Sequence, residues 1–178
     1  LRLPNKSVGR PSPELLSLIR RVLVAGPQWA MQLPEHVLAN RRAWGEWAEG
    51  YAEPGRRSWA RDDITWGIWD VTEAALGALG DLGWYRGKDL VELGCGTAYF
   101  SAWFAKLGAK PVGVDVTPEQ LANARTNQAE FGLEFPLIEA SAEDLPLSDA
   151  SFDVAFSEYG ASIWCDPYRW IPEAARVL

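Results

Sequence analysis

The sequence predicts an α/β fold, a doubly wound and mostly parallel sheet, and three observations carry that prediction. Leu90, Val91 and Leu93 make a short apolar run around Glu92, followed at once by Gly94-Cys95-Gly96 and then by apolar residues at helical spacing. A second short apolar run, Pro111 to Val116, holds an acid near its end at Asp115, 19 residues beyond Gly96. Strand-like runs then keep alternating with helical segments, the pattern of parallel strands joined by right-handed crossovers.

Residues 1–13 hold three prolines and read as an extended arm. Ser12-Pro13-Glu14-Leu15 opens an amphipathic helix to about Val24, with Gly26-Pro27 as its stop. From Pro34 to Asp81 the pattern is helical and rich in tryptophan. Glu35 to Tyr51 puts Val37, Leu38, Trp44, Trp47, Ala48 and Tyr51 on a broad apolar side, with Pro54-Gly55 as the expected end, and Ile68 to Leu79 reads as a further helix. These aromatics suit packing between helices and sheet. The other reading is a lid, for which Trp47 and Tyr51, just before the expected break, are the candidates. His36 has no sequence neighbour with which to form a metal or acid–base site and reads as an ordinary helix residue.

The glycine-rich stretch joins a strand to a helix. Gly94 and Gly96 let the backbone turn and let a ligand lie against it. Thr97 is the expected N-cap of a helix carrying Phe100, Trp103, Phe104 and Leu107, and Gly108 is its stop. Asp115 stands where a doubly wound fold places the carboxylate that accepts hydrogen bonds from ribose hydroxyls. The next helix has Thr117 as cap, Pro118 first, Gln120 three residues after the cap and Gly132 as stop. Gln120 and Leu121 open it beside the expected nucleoside. Phe135 to Ala140 and Phe152 to Ser157 read as the third and fourth strands, separated by Ser141 to Pro146 and a turn at Asp149-Ala150-Ser151. Asp166-Pro167 and Pro172 each read as the start of a helical turn.

The 178 residues are 48% hydrophobic and 23% charged, enough for one domain with a core. The net charge of −7 is uneven: residues 1–61 carry ten Lys/Arg against five Asp/Glu, and residues 62–178 seven against nineteen. The acidic part contains the glycine loop, which argues against a nucleic-acid partner there. The basic start reads as solvated helix faces, with a weak anion patch as the other reading. Two cysteines, Cys95 and Cys165, make neither a disulfide framework nor metal-ligand spacing, which fits a cytoplasmic setting. No apolar stretch near 18 residues suggests a membrane span, and Arg20 and Arg21 interrupt the run that would otherwise suggest a signal peptide. Met31 is the only methionine and residue 1 is Leu, so the sequence either lacks its own start or begins at a non-standard one.

Tyr99 stands where the dinucleotide fingerprint G-x-G-x-x-G needs its third glycine. What is present is E-x-G-x-G-x-A, from Glu92 to Ala98. With Gly113 to Leu121, Ala140 to Leu147 and Ser151 to Gly160, four motifs stand in an order that resembles the class I S-adenosylmethionine-dependent methyltransferases, in particular their small-molecule bacterial branch. The resemblance covers roughly residues 34–178. It implies a Rossmann-like sheet of strand order 3-2-1-4, S-adenosylmethionine as cofactor and a small-molecule methyl acceptor. Carried over, the cofactor residues are Glu92, Gly94, Gly96, Asp115, Gln120, Ser141, Ala142, Glu143 and Ser157, with Tyr51 from the lid.

On this reading residues 1–33 lie outside the resemblance, 34–81 form a helical lid or cap, and 82–178 form the cofactor-binding domain. Three features depart from the family: Ala98 replaces the third glycine, Ser141 stands where many relatives have Asp, and the ending "E-A-A-R-V-L" leads in the family into further strands. The last makes residues 1–178 a fragment on this reading, with the fourth strand as an unpaired edge. Glu158 and Tyr159 are candidates for a base, and neither is assigned. The alternatives are an NAD(P)-dependent oxidoreductase of the same fold, or an inactive truncated piece that keeps the nucleoside pocket.

Overall fold

The computed structural model describes residues 33–178, so the expected arm and the helix from Ser12 lie outside the described residues. In chain order the elements are α1 (Glu35–Ala60), β1 (Thr65–Trp66), β2 (Val71–Thr72), α2 (Glu73–Leu76), a 3-10 turn (Leu82–Tyr85), β3 (Asp89–Leu93), α3 (Tyr99–Lys106), β4 (Lys110–Asp115), α4 (Pro118–Phe131), β5 (Leu137–Glu139), β6 (Val154–Phe156), α5 (Ala161–Trp164) and α6 (Pro167–Val177). The main sheet is parallel throughout, in the order β5-β4-β3-β6, which is the 3-2-1-4 order the resemblance implies. β3 and β4 are central, and most of their residues are buried because helices cover both faces.

Alternation along the strands divides the core. Val91, Leu93, Val112, Val114 and Ile138 pack on Phe152, Ala174 and Val177, on the α6 side. Leu90 points the other way, into Phe100, Trp103 and Phe104 of α3. Beside that cluster, Trp59, Ala98, Leu121, Ala124 and Leu137 fill the space between α1, α3 and α4.

Several local expectations are corrected. α1 does not stop at Pro54-Gly55 but runs to Ala60. Proline removes one helical hydrogen bond, yet the turn beyond it is held by tertiary packing. Gly55 lies against Thr97, where a Cβ would come within 2.5 Å of the Thr97 hydroxyl. Trp59 is fully buried, with ring centroids 6.0 Å from Phe131 and 5.7 Å from Phe135, and its indole N–H donates to the Thr97 carbonyl at 2.8 Å. Thr97 is therefore not the N-cap of α3. That position belongs to Ala98, in the left-handed region at φ 57°.

Ile68 to Leu79 is not a helix. Thr65 and Trp66 pair with Thr72 and Val71 in a small antiparallel hairpin, and only Glu73–Leu76 is helical. The buried Glu73 carboxylate accepts the Trp66 indole N–H at 2.7 Å and the Leu79 amide at 2.6 Å. Pulling both flanks onto Glu73 leaves Ile68 and Trp69 exposed. α4 starts and stops as expected, with Pro118 first and Gly132 left-handed, but Thr117 makes no side-chain cap bond. Its amide donates instead to Asp115. α6 is one helix containing Pro172, capped by Asp166 on the Tyr168 amide at 2.9 Å. Among the described residues no helix is long and apolar enough to cross a membrane.

Trp59 is the test of the α1 packing. Trp59→Ala should lower unfolding free energy by about 3–5 kcal/mol, while Trp59→Phe, which keeps a ring and loses the indole N–H, should cost about 1–2 kcal/mol. Urea titration measures both, and a loss below about 1 kcal/mol for the alanine variant would contradict the packing described.

Candidate functional site

At the carboxyl ends of β3, β4 and β6 lies a cleft of about 950 Å³, counted out to its open mouth. Two glycines shape its floor. Gly94 sits at φ 72°, where a Cβ would stand 2.5 Å from the Ala161 amide nitrogen, and a Cβ on Gly160 would meet the Gly94 carbonyl. The loops after β3 and β6 therefore touch backbone to backbone. The Gly94 and Cys95 amides both donate to the Val114 carbonyl, at 2.8 and 2.9 Å, which ties the first loop to β4.

Asp115 closes the next junction. One carboxylate oxygen accepts the Gly96 amide and the other the Thr117 amide, each at 2.8 Å. Burial pushes this carboxyl up from its ordinary value, and the backbone donors oppose that shift. Gly96 is left-handed at φ 52°, with nothing within 4 Å of where its Cβ would stand. Gln120 also lines the cleft; it is buried, and its amide oxygen has no hydrogen-bond partner.

Glu92 is buried at the end of β3 and accepts the Ser101 amide at 2.8 Å and the Ser101 hydroxyl at 2.5 Å. Burial outweighs these bonds and pushes its carboxyl up to about 8. Glu158 follows β6. Its carboxylate accepts the Tyr99 hydroxyl at 2.9 Å and the Gly67 amide at 3.1 Å, and burial raises it too. Burial likewise raises Tyr99, with the Glu158 charge adding to the effect. Cys95 and Cys165 both line the cleft as free thiols, Cys165 pushed up to about 12 by burial. Among the described residues no group of three or more His, Cys, Asp and Glu could hold a metal ion.

Of the residues singled out in the sequence, Tyr51, Glu92, Gly94, Gly96, Asp115, Gln120, Ser141 and Ala142 share the lining of this one cleft. Glu143 and Ser157 do not. Glu143 is buried; one carboxylate oxygen is bound to His36 at 2.7 Å and accepts the Asp166 amide at 2.8 Å, while the other has Arg169 at 3.4 Å and no hydrogen-bond partner. His36 thus has a partner after all, 107 residues away. The Ser157 hydroxyl donates to the Leu93 carbonyl at 2.8 Å and accepts the Ser162 amide at 3.1 Å, so it fastens β6 to β3.

Trp47 is half exposed and off the lining, whereas Trp44 is on it. Trp44 contacts Trp47, Tyr51 and Trp164 edge to face, with centroids 5.1 to 5.4 Å apart. The signal was present in the sequence: Trp44 lies seven residues before Tyr51, on the same helical face. Asn40, which also lines the cleft and donates to the Trp164 carbonyl at 2.8 Å, had no comparable signal.

Residues 91–178 match the family model described as "Methyltransferase domain". An uncharacterized protein of Mycobacterium tuberculosis, Rv1403c, is 33% identical over 127 residues, 68% of this chain and 45% of its own length. A ubiquinone biosynthesis O-methyltransferase of Cereibacter sphaeroides is 30% identical over 94 residues, 53% of this chain and 38% of its own. Among solved structures, the YcgJ protein of a Bacillus is 29% identical with a TM-score of 0.54, covering 60% of this chain and 46% of that one. The chain thus spans less than half the length of these relatives.

Glu92 generates a pH prediction. Its folded value of about 8 lies above the ordinary 4.5, so the folded state holds a proton that the unfolded state releases between those values. Its contribution is present below the lower value and lost as pH rises through the upper one. Glu92→Gln should therefore gain stability relative to wild type by up to about 1.4 kcal/mol per pH unit across that window, and level off above it. A stability difference that stays flat from acid to mildly alkaline pH in denaturant titrations would contradict this.

Proposed function

Because this chain belongs to the class I S-adenosylmethionine-dependent methyltransferases, we propose that it transfers the methyl group of that cofactor to a small-molecule acceptor in the cleft. The observation that carries the reading is the shared lining of Glu92, Gly94, Gly96, Asp115 and Gln120 at the carboxyl ends of adjacent parallel strands, the place where open α/β sheets bind ligands.

The residues present fit the cofactor on three counts. Gly96 has open space where a side chain would stand, so a ligand can lie against the loop. Asp115 accepts the Gly96 amide on one oxygen and the Thr117 amide on the other, which leaves acceptor capacity for ribose hydroxyls. Gln120 has a buried amide oxygen that lacks a donor, and a nucleoside or amino-acid group would supply one.

Bound there, the cofactor supplies an electrophilic methyl group on a sulfonium. The chain's own residues align and enclose. The glycine loop and Asp115 fix the donor, Ser141 and Ala142 frame the base, and Trp44, Tyr51 and Trp164 form an apolar wall that keeps water from the reacting atoms. Glu143 and Ser157, off the lining, act as positioning residues through Asp166 and Leu93. The free thiols fit a cytoplasmic setting, and the acidic lining gives no footing for nucleic acid.

Calorimetry tests the reading. The protein should bind S-adenosylmethionine and S-adenosylhomocysteine in preference to NAD, and Asp115→Ala should weaken binding by about 1.5–3 kcal/mol, the scale for hydrogen bonds to a charged group. Tighter NAD binding, or unchanged affinity in the variant, would refute it.

A further inference from the structure

The described residues that line the cleft include three carboxyl groups, those of Glu92, Asp115 and Glu158, and no Lys, Arg or His. Two of the three are accounted for. Glu92 is turned to Ser101, and Asp115 bridges Gly96 and Thr117 at the nucleoside end. Glu158 is held in the same manner as Asp115, its two donors, the Tyr99 hydroxyl and the Gly67 amide, engaging one oxygen each and fixing the carboxylate in place, but no cofactor group is assigned to it. Each oxygen keeps a lone pair free. Aromatic rings stand around the same space: Tyr99 and Tyr159 beside Glu158, and the Trp44, Tyr51 and Trp164 group in the same lining. Ring faces of this kind attract cations.

We propose that the methyl acceptor is an amine carried on an apolar, ring-sized group, and that Glu158 holds its nitrogen and receives its proton. The inference rests on the methyltransferase reading above and deepens it. An anionic acceptor would face the Glu158 charge with no basic side chain in the described lining to offset it. An ammonium pairs with that carboxylate, and its apolar body packs on the rings.

The chemistry balances. Glu158 takes one proton from the bound ammonium and becomes a carboxylic acid, which leaves a neutral nitrogen with a free lone pair. That pair forms the N–CH3 bond as the C–S bond breaks, its electrons staying on sulfur to give a neutral thioether. The methylated ammonium leaves, and Glu158 returns its proton to water. Burial raises the Glu158 carboxyl and so makes it a better proton acceptor.

The test uses the full chain loaded with S-adenosylhomocysteine and three shape-matched probes: 2-phenylethylamine, 2-phenylethanol and 3-phenylpropanoate. Ligand-observed NMR titrations at low salt and neutral pH should show the amine binding about tenfold tighter than the alcohol, and no binding of the carboxylate. Glu158→Gln should bring the amine down to the level of the alcohol. The wild-type ranking stands by itself should that variant fail to fold. If S-adenosylhomocysteine does not bind, the methyltransferase reading fails. If it binds, and the carboxylate equals the amine or the amine does not bind at millimolar concentration, the amine inference alone is overturned.

Discussion

The cleft depends on one contact, the meeting of the Gly94 and Gly160 backbones. A Cβ at either position would collide with the other loop's main chain, so only glycine lets the turns after β3 and β6 close to this distance. From that contact the rest follows. The β3 loop is drawn over the end of β4, where the Val114 carbonyl takes two amides. Gly96 then comes within reach of Asp115. On the other side, the β6 turn delivers Glu158 to Tyr99. The Ser157 hydroxyl on the Leu93 carbonyl reinforces the same closure from within the sheet.

The second constraint is the long helix α1, bound along its length to the sheet domain. His36 reaches Glu143, Asn40 the Trp164 carbonyl, Arg41 Glu139 and Arg56 Glu130, while Asn123 of α4 donates to the Ala48 carbonyl. The exposed ion pairs among these contribute little in water. The firmer hold is apolar, with Val37, Ala48, Gly55 and Trp59 buried along one side. A helix fixed at both ends presents Trp44 and Tyr51 to the cleft as a preformed wall, and burial at Trp59 is what sets its register.

Much of this was legible in the sequence, for a physical reason. Buried parallel strands read as unbroken apolar runs, and Gly94, Gly96, Asp115, Pro118 and Gly132 each mark a backbone position with few alternatives. What was illegible rests on long-range contacts. Pro54 signals a helix end locally, but Trp59 packing between Phe131 and Phe135 overrides it. The residues after Gly67 look helical by spacing, yet Glu73 gathers Trp66 and Leu79 into a hairpin. Glu143 was a cofactor candidate by position in its motif, and its contacts with His36 and Arg169, distant in sequence, were not legible there. Gly160 gave no signal that its partner would be Gly94.

In the proposed site, the loops after β3, β4 and β5, with the middle of α1, enclose the cofactor in one cleft. Amide hydrogen exchange with and without S-adenosylhomocysteine addresses it most directly, because it reports every backbone segment at once. Exchange should slow at residues 94–99, 116–120 and 141–142 and along 44–51 of α1. Protection absent from these segments, or confined to the β1–β2 hairpin, would contradict it.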